Sequence, residues 1–308
     1  MTSKNKCTNF EGIPVIGVAS VKGGCGRSLV AGYLAIELMH RYPNTPIYLM
    51  DMDVGSSGQL VLFRLHGDGA DGYRGTGNFK AQLAQAILDQ DWANVIMDSI
   101  RAGTGSLRDL ERTGYDLFRG LTENEGLLRL MTGPGIQAKL LTAFREKASR
   151  KVNNIVPPIK IAMQDVNPGA AITILDLDAG LDGETPEIFK ECDEKVLVVR
   201  PDRQHQNILA DPAVLDALVY ESGTIGTDKE RILPRFHLAF NFVPESMDRR
   251  KLLTPALRQI GYQNVLVKEP GRFNESILRD ERFTWPIPRA FKPMIEGLAD
   301  RLFDPAGD

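Results

Sequence analysis

Apolar residues fall along this chain in short, unbroken blocks, each closed by a polar, acidic or proline residue. Residues 13–20 are rich in Val and Ile; 46–50 (PIYLM) run into Asp51, 172–175 (ITIL) into Asp176, 195–200 (KVLVVR) into Pro201, and 237–240 (HLAF) into Asn241. A weaker sixth block is 265–267. Continuous rather than alternating apolar blocks predict strands buried on both faces. Longer stretches between them carry helical spacing, beginning with 29–39 directly after a Gly cluster, and further helices are expected at 79–98, 106–119 and 136–151. The alternation predicts a doubly wound, mostly parallel α/β sheet with helices on both faces. Because the strand ends are spread over most of the chain, residues 1–308 are expected to form a single domain. The stretch 56–167 is the least legible, opening with a loop that holds Gly67, Gly69, Gly72, Gly75 and Gly77.

Composition supports a folded protein and removes several classes. At 308 residues, 43% hydrophobic and 25% charged with net charge −3, the chain can bury a large core without disulfides or metals. Cys7, Cys25 and Cys192 are too scattered for a disulfide framework, and Cys192 reads as a small residue near a helix end. The histidines at 40, 66, 205 and 237 stand apart, which argues against a histidine metal site. Residues 1–12 lack a signal-peptide core, and no run of ~18 apolar residues occurs, so a cytoplasmic protein is expected. Between Lys229 and Lys292, 13 basic residues face 7 acidic ones, a balance of +6 that leaves −9 for the rest. That excess fits either a solvated face or an anionic partner.

In doubly wound sheets ligands bind beyond the carboxyl ends of the strands. Those ends here carry the loop 22–28, Asp51, Asp176, Pro201 and Asn241. A loop that wraps phosphate needs glycines for close backbone approach and amides converging at the positive end of a helix. Gly23, Gly24 and Gly26 meet the first need and the helix that follows meets the second. Ser28 supplies a hydroxyl directly after a basic residue, where such loops coordinate magnesium. Against the usual Gly-x-x-x-x-Gly-Lys-[Ser/Thr], Val21 replaces the first Gly and Arg27 the Lys. A turn that uses glycine only for its geometry is the competing reading of the loop alone.

The segment Val21-Lys22-Gly23-Gly24-Cys25-Gly26-Arg27-Ser28 resembles the deviant Walker A motif, Lys-Gly-Gly-x-Gly-Lys-[Ser/Thr], of the ParA/MinD family of P-loop ATPases. Asp51-Met52-Asp53-Val54-Gly55 resembles that family's Asp-x-Asp motif, and Asp176-Leu177-Asp178-Ala179-Gly180 its Walker B and switch segment, usually Asp-x-Pro-Ala-Gly. Pro201-Asp202 resembles its Pro-Glu pair, and Asn241 stands where an Asn recognises adenine. The resemblance covers about residues 13–60 and 126–300 and is silent over most of 61–125, an apparent insertion suited to partner specificity or to elaboration of the sheet edge.

The resemblance implies ATP and Mg2+ as cofactors. Gly23, Gly24, Cys25, Gly26 and Arg27 would hold phosphates, Asn241 would recognise adenine, and Pro201 is a further nucleotide-binding candidate. Ser28 would ligate magnesium, with Asp51 and Asp176 positioning its waters. Asp53 would orient or deprotonate the attacking water, although Asp before Val-Gly-Ser-Ser also suits a turn cap. Lys22 would cross a two-fold interface to the partner's nucleotide, making the protein a homodimer on ATP binding and a switch for a protein partner of unknown identity. A weak ATPase is expected, because guanidinium for ammonium is not conservative where catalysis depends on placement. A hydrolysis-impaired nucleotide-binding scaffold is the alternative. Asp178, in place of proline, adds a charge beside the expected γ-phosphate.

Arg249, Arg250 and Lys251 with Arg272, Arg279 and Arg282 are the best candidates for DNA contact, limited to salt-sensitive non-specific binding. Phe291, Ile295, Leu298, Leu302 and Phe303 fall at helical spacing, but acidic residues balance Lys292 and Arg301, so core packing is expected rather than membrane attachment. Neither a dimer-interface cysteine pair of the iron–sulfur reductases nor the terminal Tyr cluster of the tyrosine-kinase relatives is evident.

Overall fold

The computed structural model describes residues 12–56, 58–63, 80, 84, 128–131, 155–180, 185–211, 213–214, 218, 235–273 and 286–303. The chain enters through β1 (Val15–Ser20), turns through the Gly-rich loop and continues as α1 (Arg27–Arg41). β2 (Ile47–Asp51), α2 (Gly58–Leu62) and β3 (Leu128–Met131) follow. Next come α3 (Val156–Val166), β4 (Ile172–Ala179), α4 (Thr185–Glu191), β5 (Glu194–Val199), α5 (Arg203–Leu209) and β6 (Phe236–Phe240). α6 (Pro255–Ile260) and α7 (Lys292–Phe303) end the described chain.

The six strands form one sheet in the order β3-β2-β4-β1-β5-β6, with all pairs parallel. Parallel strands buried on both faces need apolar side chains in both directions, which is why β1, β2 and β6 are buried at every position. One face is covered by α1 and α7, where Tyr33 stacks on Phe291 with ring centroids 6.1 Å apart and Ile295 and Leu298 are fully buried. Arg41, in the last turn of α1, pairs with Glu37 one turn back and with Asp300 of α7. The apolar stripe of α7 is thus core, as its spacing predicts. The other face packs α3 and α4 through Ile159, Met163, Ile188 and Phe189. Cys192, just past α4, is buried with its sulfur where a β-carbon on Gly17 of β1 would stand 2.7 Å away, so the helix–strand contact needs glycine there.

Two strand expectations change. Residues 265–267 do not form a strand: Leu238 of β6 donates to Val265 O at 2.8 Å and accepts from Val267 N at 2.9 Å, but the pairing stops at an isolated bridge. Lys268, Glu269 and Pro270 follow at once, and proline has no N–H with which to extend a ladder. In its place β3 is the sixth strand, at the edge beside β2. The helices expected at 106–119 and 136–151 lie outside the described residues, as does that at 79–98 except for Lys80 and Ala84, both helical. No helix among the described residues is long and apolar enough to cross a membrane.

The winding reverses about β1: from β1 the chain goes to β2 and β3 on one side, and from β4 it crosses β1 to β5 and β6 on the other. Such a reversal opens a crevice at the carboxyl ends of the central strands.

Candidate nucleotide site at the carboxyl end of the sheet

The loop after β1 is shaped by glycines in the left-handed region, Gly24 at φ 79° and Gly26 at φ 77°. At Gly26 a side chain is excluded twice: by conformation, and because a β-carbon would lie 2.6 Å from Asn241 Nδ2 and 2.8 Å from the Phe242 ring. Gly26 is also the N-cap of α1, and no side chain caps that helix or places a carboxylate in its first turn. Fifteen residues of aligned peptide dipoles therefore end in an uncapped N-terminus facing the loop, a setting that favours an anion.

The strand ends bring the acidic candidates to this loop. Asp51 closes β2 in register with Asp176 of β4, and both are fully buried. Asp53 follows β2 and Asp178 lies near the end of β4, which breaks register with β1 beyond Val18. Asn241 follows β6, donating from Nδ2 to Cys25 O at 2.9 Å while its Oδ1 stays buried without a partner among the described residues. Pro201, after β5, offers its carbonyl to Gln206 Nε2, and Asp202 caps α5 by accepting from the His205 amide. Lys22 is exposed and its ammonium donates to Gln204 Oε1 of α5.

Arg27 has a definite partner set. Its Nε donates to Asp176 Oδ1 at 2.8 Å and Nη2 to Asp53 Oδ2 at 3.0 Å, with Nη1 3.9 Å from Asp178 Oδ1. The guanidinium thus lies among three carboxylates at the base of the loop. Burial works against its charge, yet Asp176 and Asp53 outweigh that and raise its pKa above the ordinary arginine value. Burial likewise works against the Asp53 carboxylate, but Arg27, the Ser56 hydroxyl and Lys80 hold its pKa below the usual range. Burial raises the pKa of the Cys25 thiol, which makes it a poor nucleophile.

Two participants carry no mark in the sequence. Gln59, in α2, donates from Nε2 to Ser28 O at 2.9 Å and to Asp176 Oδ2 at 2.8 Å. Lys80 pairs with Asp51 Oδ2 at 2.7 Å and donates to Ser56 O at 2.6 Å. Neither belongs to a motif, and only the fold brings them to the strand ends.

The donor set decides which ligands fit. The glycine loop and uncapped helix suit phosphate. For magnesium, Ser28 offers a hydroxyl, but both Asp176 oxygens and Asp51 Oδ2 are already engaged by Arg27, Gln59 and Lys80. Among the described residues no group of three or more His, Cys, Asp or Glu is arranged to hold a metal ion. Magnesium commonly keeps several waters and binds through substrate phosphates, so the arrangement fits a metal carried by a nucleotide rather than one held by protein alone. On the basic 249–251 turn, Arg249 pairs with Glu269 and Arg250 with Asp248, while Arg272 donates to the carbonyls of Pro244 and Met247. Arg279 and Arg282 lie outside the described residues.

No protein-family model matches the chain, and no curated protein matches it in sequence. Solved structures do match. Apo McdA from Cyanthece aligns over 94% of this chain and 99% of its own, with TM-score 0.57 at 14% identity. The cell-division ATPase MinD of Pyrococcus furiosus aligns over 94% and 98%, with TM-score 0.53 at 15% identity. The chain has the fold of the ParA/MinD-type P-loop ATPases. A plasmid partition protein of Borrelia burgdorferi B31, bound to AMPPNP, shares it as well, at TM-score 0.51 and 13% identity over 94% of this chain and all of its own.

Proposed function

We propose that this protein is an ATP-binding switch of the ParA/MinD type, which dimerises on ATP and couples its nucleotide state to the positioning or assembly of a partner complex. The observation that carries this reading is the loop 22–28 itself: two left-handed glycines leading into an uncapped fifteen-residue helix, at the point where the sheet reverses its winding. The AMPPNP carried by the Borrelia protein of the same fold supports an adenine nucleotide as the ligand. Gly23, Gly24, Cys25 and Gly26 would cradle the phosphates, and Ser28 would ligate a nucleotide-borne Mg2+. Asn241 keeps one buried acceptor for an exocyclic amine of the base. Lys22, exposed at the loop, would reach across to a second protomer.

A second reading is favoured by Arg27. The side chain expected on the phosphates is bonded to Asp176 and to Asp53, and Asp53 is the group expected to handle the attacking water. A base locked in an ion pair with an arginine that would itself have to move is poorly placed for turnover. This favours a nucleotide-gated scaffold that hydrolyses slowly. Sedimentation and phosphate release, each measured with ATP and with a non-hydrolysable analogue, test both readings. Dimerisation with either nucleotide and little phosphate release is expected. A monomer under all conditions would overturn the switch, and rapid turnover would overturn the scaffold.

A further inference from the structure

Lys80 belongs to none of the motifs, yet its ammonium is the most deeply buried cation described in the molecule. Neither its side chain nor that of Asp51 has any exposure, and their charged atoms stand 2.7 Å apart. A second bond, to Ser56 O at 2.6 Å, ties it to the loop that follows β2. The same corner is closed by Gly58, where a β-carbon would lie 3.1 Å from Ser28 Oγ, and by the Gln59 carboxamide between Ser28 O and Asp176. Gly58, Gln59 and Lys80 are thus laid against the hydroxyl and the two carboxylates that a phosphate-borne metal would approach.

Among the described residues, Asp51, Asp53, Asp176 and Asp178 bring four carboxylates to the site, and Arg27 and Lys80 bring two cations. Arg27 is paired with Asp176 and Asp53, and Lys80 is the one of these two cations paired with Asp51. Without it one more negative charge would stand beside a loop that must accept a polyanion.

We propose that Lys80 is a resident cation of the nucleotide site: by neutralising Asp51 in place, it lets the loop accept a nucleoside polyphosphate with a reduced requirement for magnesium. The proposal rests on the nucleotide reading above. Lys80 acts through Asp51 and the Ser56 carbonyl and is therefore a positioning residue, not a catalytic one.

The test is ATP affinity of the full chain, measured by calorimetry in excess magnesium and in EDTA. Lys80→Met should weaken binding in EDTA by about 10- to 20-fold, the effect of one unit charge acting on one phosphate charge over roughly 10 Å at an effective dielectric near 20. In magnesium the loss should be several times smaller, because a divalent ion then offsets Asp51. The double variant Lys80→Met/Asp51→Asn removes both charges and should recover the wild-type affinity in EDTA. Equal losses for Lys80→Met in both buffers would overturn the proposal, since a purely structural lysine is indifferent to magnesium. If the single variant fails to fold, the double variant decides: wild-type affinity in EDTA upholds the proposal and a loss of about 10- to 20-fold overturns it. A wild-type chain that binds ATP in neither buffer defeats the nucleotide reading itself, and with it the role of Lys80.

Discussion

Arg27→Lys separates the tether at the base of the loop from the chemistry above it. The native guanidinium makes two charge-assisted hydrogen bonds, at 2.8 Å to Asp176 and 3.0 Å to Asp53, through nitrogens held in a rigid fork. A lysine ammonium is a compact point charge on a flexible stem and does not reproduce that fork. The substitution should therefore cost one of the two bonds, worth about 1.5–3 kcal/mol each. At about 2–4 °C per kcal/mol for a chain of this order of size, the melting temperature should fall by roughly 3–12 °C. The same free energy has the opposite effect on catalysis. If native turnover requires Arg27 to leave its carboxylates, weakening that hold by about 1.5–3 kcal/mol should raise kcat by about 10- to 150-fold. Melting in the absence of nucleotide and steady-state phosphate release read the two effects independently. A variant that melts lower but turns over ATP at the wild-type rate would refute the argument that the ion pairs limit hydrolysis.

Gly26→Ala should abolish ATP binding and destabilise the fold by about 1–3 kcal/mol, because the new methyl meets Asn241 and Phe242 at a left-handed backbone position; wild-type affinity in a calorimetric titration would contradict this. Gly17→Ala should be destabilising alone, and Cys192→Ala should relieve part of that loss, since the clashing atom is the cysteine sulfur; additive melting shifts in the double variant would remove the contact as the cause. The pKa of Asp53 is depressed in the fold, so its ion pair stabilises at pH values above the ordinary carboxylate pKa and the benefit is lost as pH falls through the depressed value. Acid unfolding of Asp53→Asn should accordingly lack part of the wild-type loss below about pH 4, and superimposable acid limbs would refute it. Without nucleotide, magnesium should give no saturable heat on titration, because the carboxylates are engaged internally.

Five of the strands were legible because each is a continuous apolar block buried on both faces, and that demand is written directly into composition. β3 was not. Only four residues long, with Arg129 inside it and a partner on one side alone, it carries too little pattern to stand out from its surroundings. The block 265–267 misled for the opposite reason: Val265 and Val267 are buried and Leu266 packs partly buried against the core, but Pro270 ends the pairing that burial invites. The strand-end residues Asp51, Asp176 and Asn241 could be located because their place in the chain also fixes their place in the sheet. Gln59 and Lys80 could not, since neither residue type nor spacing marks them and their role comes from tertiary approach. Arg27 is an intermediate case. The sequence shows that the residue is not lysine, but which way a guanidinium turns depends on carboxylates 26 and 149 positions away.

Those long-range bonds also constrain how a nucleotide could work the protein as a switch. A ligand shifts a conformational equilibrium only by as much as its interactions with the two states differ. In the structure Arg27 joins the start of α1 to Asp53 and Asp176, and Gln59 joins Ser28 to the same Asp176, so the segments after β2 and at the end of β4 share one set of ion pairs and hydrogen bonds. A phosphate that draws Arg27 away releases both segments together, at a cost of two charge-assisted bonds, about 3–6 kcal/mol before new contacts offset it. That is comparable to the ~5.5 kcal/mol needed to carry a two-state element from about 1% to about 99% populated. A nucleotide that leaves Arg27 on its carboxylates gains no such differential hold, and it would bind the loop without moving either segment.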